Sequence, residues 1–166
     1  MRTGIALGSN VGDRWENLHE ARARLLALPF IGGPVRNSRV FETEPVGADA
    51  GRAPYLNAVI EVEFDGLPIT LLDELQKIEA QLGRPSKRPR NAPRTIDLDV
   101  LYAGNLTLAN DEIVIPHPRL HSRRFVLAPL AEIQPDLVLP GRHETISELL
   151  AKLPAAPGAK IFAETF

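Results

Sequence analysis

The spacing of apolar residues along the chain predicts four strands and two long helices. The runs that predict strands are short and rich in branched residues, and they cover residues 3–8, 35–43, 56–64 and 95–102. Between them, two longer stretches have an apolar residue at every third or fourth position, as in an amphipathic helix. The first helix begins after the N-cap residue Asp13 and ends before Pro29, and the second begins at Pro68 and is closed by Gly83.

The third predicted strand shows the most regular alternation. Ile60, Val62 and Phe64 fall on one of its faces, whereas Glu61 and Glu63 fall on the other. Because successive side chains of a strand point to opposite faces, this pattern predicts a sheet with its apolar side against a core.

The elements follow one another in the order β-α-β-β-α-β, which is typical of an α+β, ferredoxin-like sandwich: an antiparallel sheet with helices packed on it. Beyond the fourth strand, the pattern predicts a weak ribbon within residues 105–115 and a short helix near residues 122–131. A last helix from Thr145 to Leu153 carries a Thr-x-x-Glu capping box. No repeat or long linker interrupts the chain, so we expect a single domain over residues 1–166.

Composition narrows the class of protein further. The chain has 166 residues, no cysteine and a net charge of −2, so disulfides, cysteine-ligated zinc and thiol nucleophiles are excluded. The apolar run at residues 125–131 is far shorter than the roughly 20 residues of a membrane span. We therefore expect a monomeric cytoplasmic enzyme that acts on small molecules and binds neither nucleic acid nor membranes.

Two short segments concentrate the positive charge of this mildly acidic chain. Residues 84–94 hold five of the nineteen basic residues and no acid, and Arg119, Arg123 and Arg124 lie beside two histidines. Arginine outnumbers lysine, and its forked guanidinium suits phosphate or carboxylate. A solvated, charge-rich loop and a local anion site are both compatible with this pattern.

The most informative polar pair is Asp97 and Asp99, two residues apart on the fourth predicted strand. Their side chains share a face and start about 6.6 Å apart, a spacing that can bracket one or two Mg²⁺ ions. A lone Asp-x-Asp is more often a solvated edge strand. Here Arg94 and the basic segment precede it, and metal carboxylates beside clustered arginines are what phosphoryl transfer requires.

Other polar and aromatic residues allow two interpretations each. Gln76 and Glu79 share a face of the second helix, which is either a solvated polar face or a ligand contact. His117 lies between two prolines and is either structural or a phosphate contact. Tyr55 and Phe125 are aromatic residues beside polar clusters, and they either pack in the core or face a ligand.

Several motifs then occur in a characteristic order. They are A-L-G-S-N at residues 6–10, T-E-P-V-G at 43–47, Y-L-N at 55–57, Glu79 with Gly83 and Arg84, P-R-T-I-D-L-D at 93–99, and Pro116-His117 with Arg123 and Phe125. With these motifs the chain resembles the 6-hydroxymethyl-7,8-dihydropterin pyrophosphokinase family over about residues 3–140. That family has a ferredoxin-like fold and moves a diphosphate from ATP to a pterin alcohol, releasing AMP, in folate biosynthesis.

The resemblance also implies roles for individual residues. Asp97 and Asp99 would hold two Mg²⁺ ions, and with Arg84 and Arg94 they would form the catalytic set. The residues expected around ATP are Gln76, Glu79, Arg84, Lys87, Arg90, Arg94, His117 and Arg123. Those expected around the pterin are Thr43, Pro45, Val46, Tyr55, Asn57 and Phe125, with Tyr55 and Phe125 on the two faces of the ring.

The resemblance implies in addition that the loops near residues 47–54 and 83–94 act as lids. This chain has Asn91 where some family members have tryptophan, Pro118 where some have an aromatic residue and Ser86 where some have arginine. These departures affect individual ATP contacts. Two other classes remain as alternatives: a metal-dependent nucleotidyltransferase, which would release pyrophosphate, and a ferredoxin-like RNA-binding module, which would need exposed aromatic residues on its sheet.

Overall fold

A computed structural model describes residues 1–45, 53–83, 94–155 and 158–166. Most of the two predicted lid loops lies outside these ranges. So do the predicted site residues Val46, Arg84, Lys87 and Arg90, and Asn91. The strands within them are β1 (Arg2–Ser9), β2 (Ile31–Asn37), β3 (Val40–Thr43), β4 (Tyr55–Phe64), β5 (Asp97–Ala103), β6 (Leu108–Ala109), β7 (Val114–Ile115) and β8 (Ala159–Ala163). The helices are α1 (Arg14–Leu26), α2 (Pro68–Gln81), α3 (Arg124–Ile133) and α4 (Ile146–Lys152), with a 3₁₀ turn at Leu120–Ser122.

The described strands form a six-stranded antiparallel sheet in the order β5-β1-β4-β3-β8, with β2 also paired to β4. Strands β6 and β7 form a separate ribbon, as predicted for residues 105–115. The central position of β1, between β4 and β5, is the arrangement expected of a βαββαβ sandwich. The prediction of an α+β fold with an antiparallel sheet is confirmed.

Helices α1 and α2 cover one face of the sheet and build the larger core. Leu18, Ala21 and Leu25 of α1 are fully buried, as are Leu71 and Leu75 of α2. They pack with the apolar face of the central strands, which is the pattern that the sequence predicts. Asp13 caps α1 by accepting a hydrogen bond from the Glu16 backbone amide at 3.0 Å.

The opposite face of the sheet is covered by α3 and α4. Val126, Leu127 and Leu130 of α3 pack with Val59 of β4 and with Ile146 of α4. The predicted capping box of α4 is present, since Thr145 and Glu148 exchange hydrogen bonds between side chain and backbone. Beside the N-terminus of α3, the ends of β1, β4 and β5 line a cavity.

Two strand predictions need correction. The single strand expected at residues 35–43 is divided into β2 and β3, because Ser38 leaves the extended ladder and exchanges hydrogen bonds with Val59 through both its amide and its hydroxyl. Strand β8 was not predicted at all. It adds to the edge of the sheet by pairing with β3, so its position depends on a partner distant in sequence.

No helix in the described ranges combines the length and the apolar character that a membrane crossing would require.

Candidate active site

The site is built where three strands carry side chains onto the same face of the sheet. In the strand register, Gly8 of β1 lies between Asn57 of β4 and Asp97 of β5. A Cβ atom at Gly8 would lie 3.3 Å from the Asn57 amide oxygen, so any side chain here would crowd the space between the two polar residues. Glycine therefore keeps the floor of the site open.

A cavity of about 270 Å³ opens above this floor. It extends from the carboxylates at the start of β5 to the ends of β3 and β4, and the N-terminal turn of α3 forms its opposite wall. Its lining residues are Ala6, Leu7, Gly8, Thr43, Glu44, Pro45, Tyr55, Asn57, Ala58, Arg94, Asp97, Asp99, Arg123, Phe125 and Val126.

One half of the cavity holds a compact set of charged groups. The Arg94 guanidinium pairs with the Asp97 carboxylate, and the Arg123 Nη1 atom lies 3.5 Å from Asp99 Oδ2. Burial, and then the negative charge of Asp97, raises the pKa of Asp99. The two carboxylates therefore repel each other in a partly desolvated place, and a divalent cation between them would relieve that repulsion.

The cations of this half are also held close together. Burial lowers the pKa of Arg123, and the neighbouring Arg119 charge lowers it further. The Nε atom of Arg94 is buried, and the described residues offer it no hydrogen-bond acceptor. An unsatisfied guanidinium nitrogen beside a second crowded arginine is suited to a ligand with several anionic oxygens, such as a polyphosphate.

His117 reaches the same cluster from the segment before the 3₁₀ turn. Its backbone amide donates to Leu101 O at 2.8 Å, and its Nδ1 accepts from the Arg119 amide at 3.1 Å. A neutral ring held in this way carries its proton on Nε2, which lies 4.0 Å from Asp99 Oδ2. Burial lowers the pKa of His117, which favours the neutral ring with its Nε2–H available as a donor.

The other half of the cavity is lined by aromatic and polar side chains. Asn57 is only 5% exposed, and its amide nitrogen donates to Thr43 Oγ1 at 2.7 Å. Tyr55 is the register partner of Thr43 across β3 and β4, and Phe125 projects from the first turn of α3. A flat heterocycle with hydrogen-bonding edges fits this combination of rings, amide and backbone.

The residue that follows β1, Asn10, fixes the backbone of Arg94. Asn10 is buried, its side-chain oxygen accepts from the Arg94 amide at 2.9 Å, and its own amide donates to Arg94 O at 3.2 Å. The A-L-G-S-N motif therefore contributes Gly8 to the floor and Asn10 to the support of Arg94. The second contribution depends on a contact between residues 84 positions apart, which local sequence patterns do not show.

The structure places most of the predicted site residues together. Thr43, Pro45, Tyr55, Asn57, Arg94, Asp97, Asp99, Arg123 and Phe125 all line the cavity. Tyr55 and Phe125 have accessible sides in this cavity, and Phe125 also packs against the core beneath α3. Gln76 is exposed on α2 and outside the cavity lining, whereas Glu79 is 6% exposed, and its carboxylate accepts from the Leu98 amide at 2.7 Å. Glu79 thus fixes the start of β5 and does not lie on a solvated helix face.

Comparison with known proteins agrees with this geometry. The model of the 7,8-dihydro-6-hydroxymethylpterin-pyrophosphokinase family matches residues 4–135. The chain belongs to this family. It is 42% identical over 148 residues to a 2-amino-4-hydroxy-6-hydroxymethyldihydropteridine pyrophosphokinase of Haemophilus influenzae, covering 88% of this chain and 89% of the relative. A Bacillus subtilis protein of the same name is 43% identical over 78% of this chain and 75% of its own.

Solved structures of the family support the fold. A Plasmodium falciparum HPPK-DHPS chain crystallised with pteroate superposes with a TM-score of 0.71 at 14% identity, over 91% of this chain. A second HPPK-DHPS structure in complex with substrates gives a TM-score of 0.66 over 90% of this chain. This chain spans only 42–43% of the length of those two proteins, so they are evidence for the fold alone.

Proposed function

We propose that this protein transfers a diphosphate from ATP to the hydroxymethyl group of 6-hydroxymethyl-7,8-dihydropterin and releases AMP, a step of folate biosynthesis. Its curated relatives carry the name of that pyrophosphokinase. The observation that carries the proposal is the division of one cavity into a charged half around Asp97 and Asp99 and an aromatic, amide-bearing half around Asn57. The charged half suits a polyphosphate and the aromatic half suits a flat heterocycle, and the reaction requires these two groups to come into contact.

The reaction places the two substrates end to end across the cavity. The pterin would lie between Tyr55 and Phe125, with Asn57 and Thr43 at its hydrogen-bonding edge. Its hydroxymethyl oxygen then points to the charged half, where it attacks the β-phosphorus of ATP. The bond from that phosphorus to the oxygen bridging it to the α-phosphorus breaks, and AMP leaves. The hydroxyl proton is lost to solvent.

The donor set fits Mg²⁺. Asp97 and Asp99 offer hard carboxylate oxygens on one face of β5, and the described residues contain no cluster of three or more acidic or histidine ligands. Such a site leaves coordination positions for phosphate oxygens and water, as Mg²⁺ sites for nucleotides commonly do. Bound Mg²⁺, two ions in this proposal, would neutralise phosphate charge and favour ionisation of the attacking hydroxyl.

The positive side chains do the remaining electrostatic work. Arg94 and Arg123 would pair with phosphate oxygens, and His117 would donate from Nε2 to the same group. Preorganised donors of this kind stabilise charge as it develops in the transition state. From the resemblance we also propose that Arg84, Lys87, Arg90, Gln76 and Glu79 take part on the ATP side, and Val46 on the pterin side.

At the level of the whole protein, we propose one catalytic domain over residues 1–166 that works as a monomer in the cytoplasm. Its partners would be ATP and the pterin, without nucleic acid or membrane. The negative net charge supports this choice, as does the covering of the sheet by α3 and α4, which removes the platform that a ferredoxin-like RNA-binding module uses.

The test is a product analysis with Mg-ATP and the hydroxymethyl dihydropterin. We expect AMP and the pterin diphosphate in equal amounts, and no AMP when the pterin is left out. Release of pyrophosphate would identify a nucleotidyltransferase instead. Binding of single-stranded RNA at moderate salt, without product, would favour the RNA-binding module.

A further inference from the structure

Arg14, the first residue of α1, connects two segments of chain that are far apart in sequence but adjacent at the cavity. Its Nη1 atom donates to Glu42 Oε1 at 2.9 Å and to the Pro54 carbonyl oxygen at 2.7 Å. Glu42 lies near the end of β3, and Pro54 immediately precedes β4. A single guanidinium therefore links the end of β3 to the residue that precedes β4.

These two points flank the aromatic half of the cavity. Thr43 follows Glu42, and Tyr55 follows Pro54, and both line the cavity as register partners. Asn57, two residues further along β4, donates a diagonal hydrogen bond across the same strand pair to Thr43. Arg14 and Asn57 therefore both link β3 to the β4 segment beside the aromatic half of the cavity.

The position of Arg14 is itself well determined. Asp13 caps the helix in front of it, and the Arg14 guanidinium lies 6.0 Å from the centre of the Phe162 ring on β8. The two N–H groups of Nη1 lie in the fixed plane of the guanidinium and serve one acceptor each, which a lysine ammonium would do with less directional control.

The Arg14–Glu42 pair is half-buried, and we expect it to contribute little to stability. The side chains of Arg14 and Glu42 are 24% and 34% exposed, and ion pairs at such surfaces contribute little to folding. Its geometric effect is larger, because contacts to a bound ring weaken when the residues that make them are displaced, and small losses of binding free energy change the affinity severalfold.

We propose that Arg14 is a positioning residue for the heterocyclic substrate. By linking Glu42 to Pro54, it holds the adjacent residues Thr43 and Tyr55 at the spacing that the ring requires. This inference depends on the proposed function, because it assigns the aromatic half of the cavity to the pterin.

The experiment compares steady-state kinetics of Arg14→Met, Arg14→Lys and Glu42→Gln with the wild-type enzyme. Arg24→Met is the matched control, because Arg24 lies on the same helix in an ion pair with Glu20 and away from the cavity. For Arg14→Met we expect the KM for the pterin to rise about tenfold, whereas kcat, the KM for ATP and the unfolding temperature stay near wild type.

The other variants separate positioning from charge. Glu42→Gln keeps an acceptor for Arg14 and should behave like the wild type, and Arg14→Lys should fall between the wild type and Arg14→Met. If Arg14→Met does not fold, Arg14→Lys and Glu42→Ala carry the same comparison, with a rise of about threefold in the KM for the pterin expected in each.

An unchanged KM for the pterin in the Arg14 variants, or equal losses in kcat, ATP affinity and stability, would overturn the positioning role. Failure of the wild-type enzyme to form AMP would instead overturn the proposed function, so the two failures are distinguishable.

Discussion

Asp97 and Asp99 show how far a two-residue spacing can be interpreted from sequence. The neighbours Leu98 and Val100 are buried, so the alternation of β5 leaves the two carboxylates on the cavity side. The pairing of Arg94 with Asp97 was not predictable from the spacing alone. It depends on Asn10, which holds the Arg94 backbone across the start of β5.

The first prediction at this scale concerns Asp99. Asp99→Asn should lower kcat by about a hundredfold or more, because a carboxylate suited to a metal becomes a neutral amide. The protein should keep or gain thermal stability without Mg²⁺, since burial and Asp97 already disfavour the charged form of Asp99. Turnover and thermal melts measure the two effects, with Asp73→Asn on α2 as a surface control. Retention of more than a tenth of the activity would contradict the metal assignment.

Phe125 provides a second prediction of this kind. Its ring lines the cavity with the Arg123 guanidinium 5.5 Å from its centre. Phe125→Ala should weaken pterin binding by at least fivefold, because a stacked ring contributes about 1 kcal/mol beyond its buried area. Calorimetry with a non-hydrolysable ATP analogue present measures this, and the affinity for the analogue alone serves as the internal control. Equal pterin affinity in both proteins would show that the Phe125 ring packs in the core and does not contact the pterin.

At the scale of elements, the alternation of β4 was correct but its meaning was incomplete. Glu61 lies opposite the apolar face, as predicted, and yet it is only 4% exposed because α3 covers that side too. Its carboxylate accepts from the Tyr102 hydroxyl at 2.6 Å and from the Gln134 amide at the end of α3. Sequence periodicity shows which side chains share a face, but it does not show what is packed on that face.

Tyr102 reaches Glu61 by crossing β1 at Gly4. The pairing of β1 with β5 shifts register between Gly4 and Ile5, which brings Tyr102 opposite Gly4. A Cβ atom at Gly4 would lie 2.3 Å from the ring carbon Cε1 of Tyr102, closer than any real contact. The absence of a side chain at Gly4 is therefore what allows β5 and β4 to be linked across the central strand.

A double-mutant cycle tests this account of β1. Gly4→Ala should destabilise the protein by about 2 kcal/mol, since the Tyr102 ring must move and its hydrogen bond to Glu61 is lost. In a Tyr102→Leu background the same substitution should cost much less, because no ring crosses the glycine. Urea denaturation of the four proteins gives the coupling. Identical costs in both backgrounds would show that Gly4 matters for another reason.

At the scale of the whole molecule, the sequence predicted the layers better than the edges. Helices α1 and α2 and the central strands follow from local periodicity and from caps such as Asp13. The division of the second strand at Ser38 and the addition of β8 follow from hydrogen bonds to β4 and β3 that a local pattern does not contain. The cavity combines both kinds of information, because its residues come from motifs and its floor and supports come from register.

The division of the cavity into two halves leads to a prediction about the stability of the entire protein. A ligand that binds only the folded state stabilises it by about 2.7 kcal/mol at a hundred times its Kd, which for a chain of this size is a rise of roughly 5–10 °C in Tm. A non-hydrolysable ATP analogue at that excess should give this rise only with Mg²⁺, because Asp97 and Asp99 otherwise face the phosphates directly.

In the Asp97→Asn/Asp99→Asn protein, we expect the Mg²⁺ dependence to disappear, since neutral amides neither repel phosphate nor need a cation between them. Phe125→Ala should keep the full response to the analogue with Mg²⁺ and lose most of the additional rise on adding pterin. Thermal melts of the three proteins measure these shifts, and a Mg²⁺-dependent rise that persists in the doubly substituted protein would place the metal away from β5.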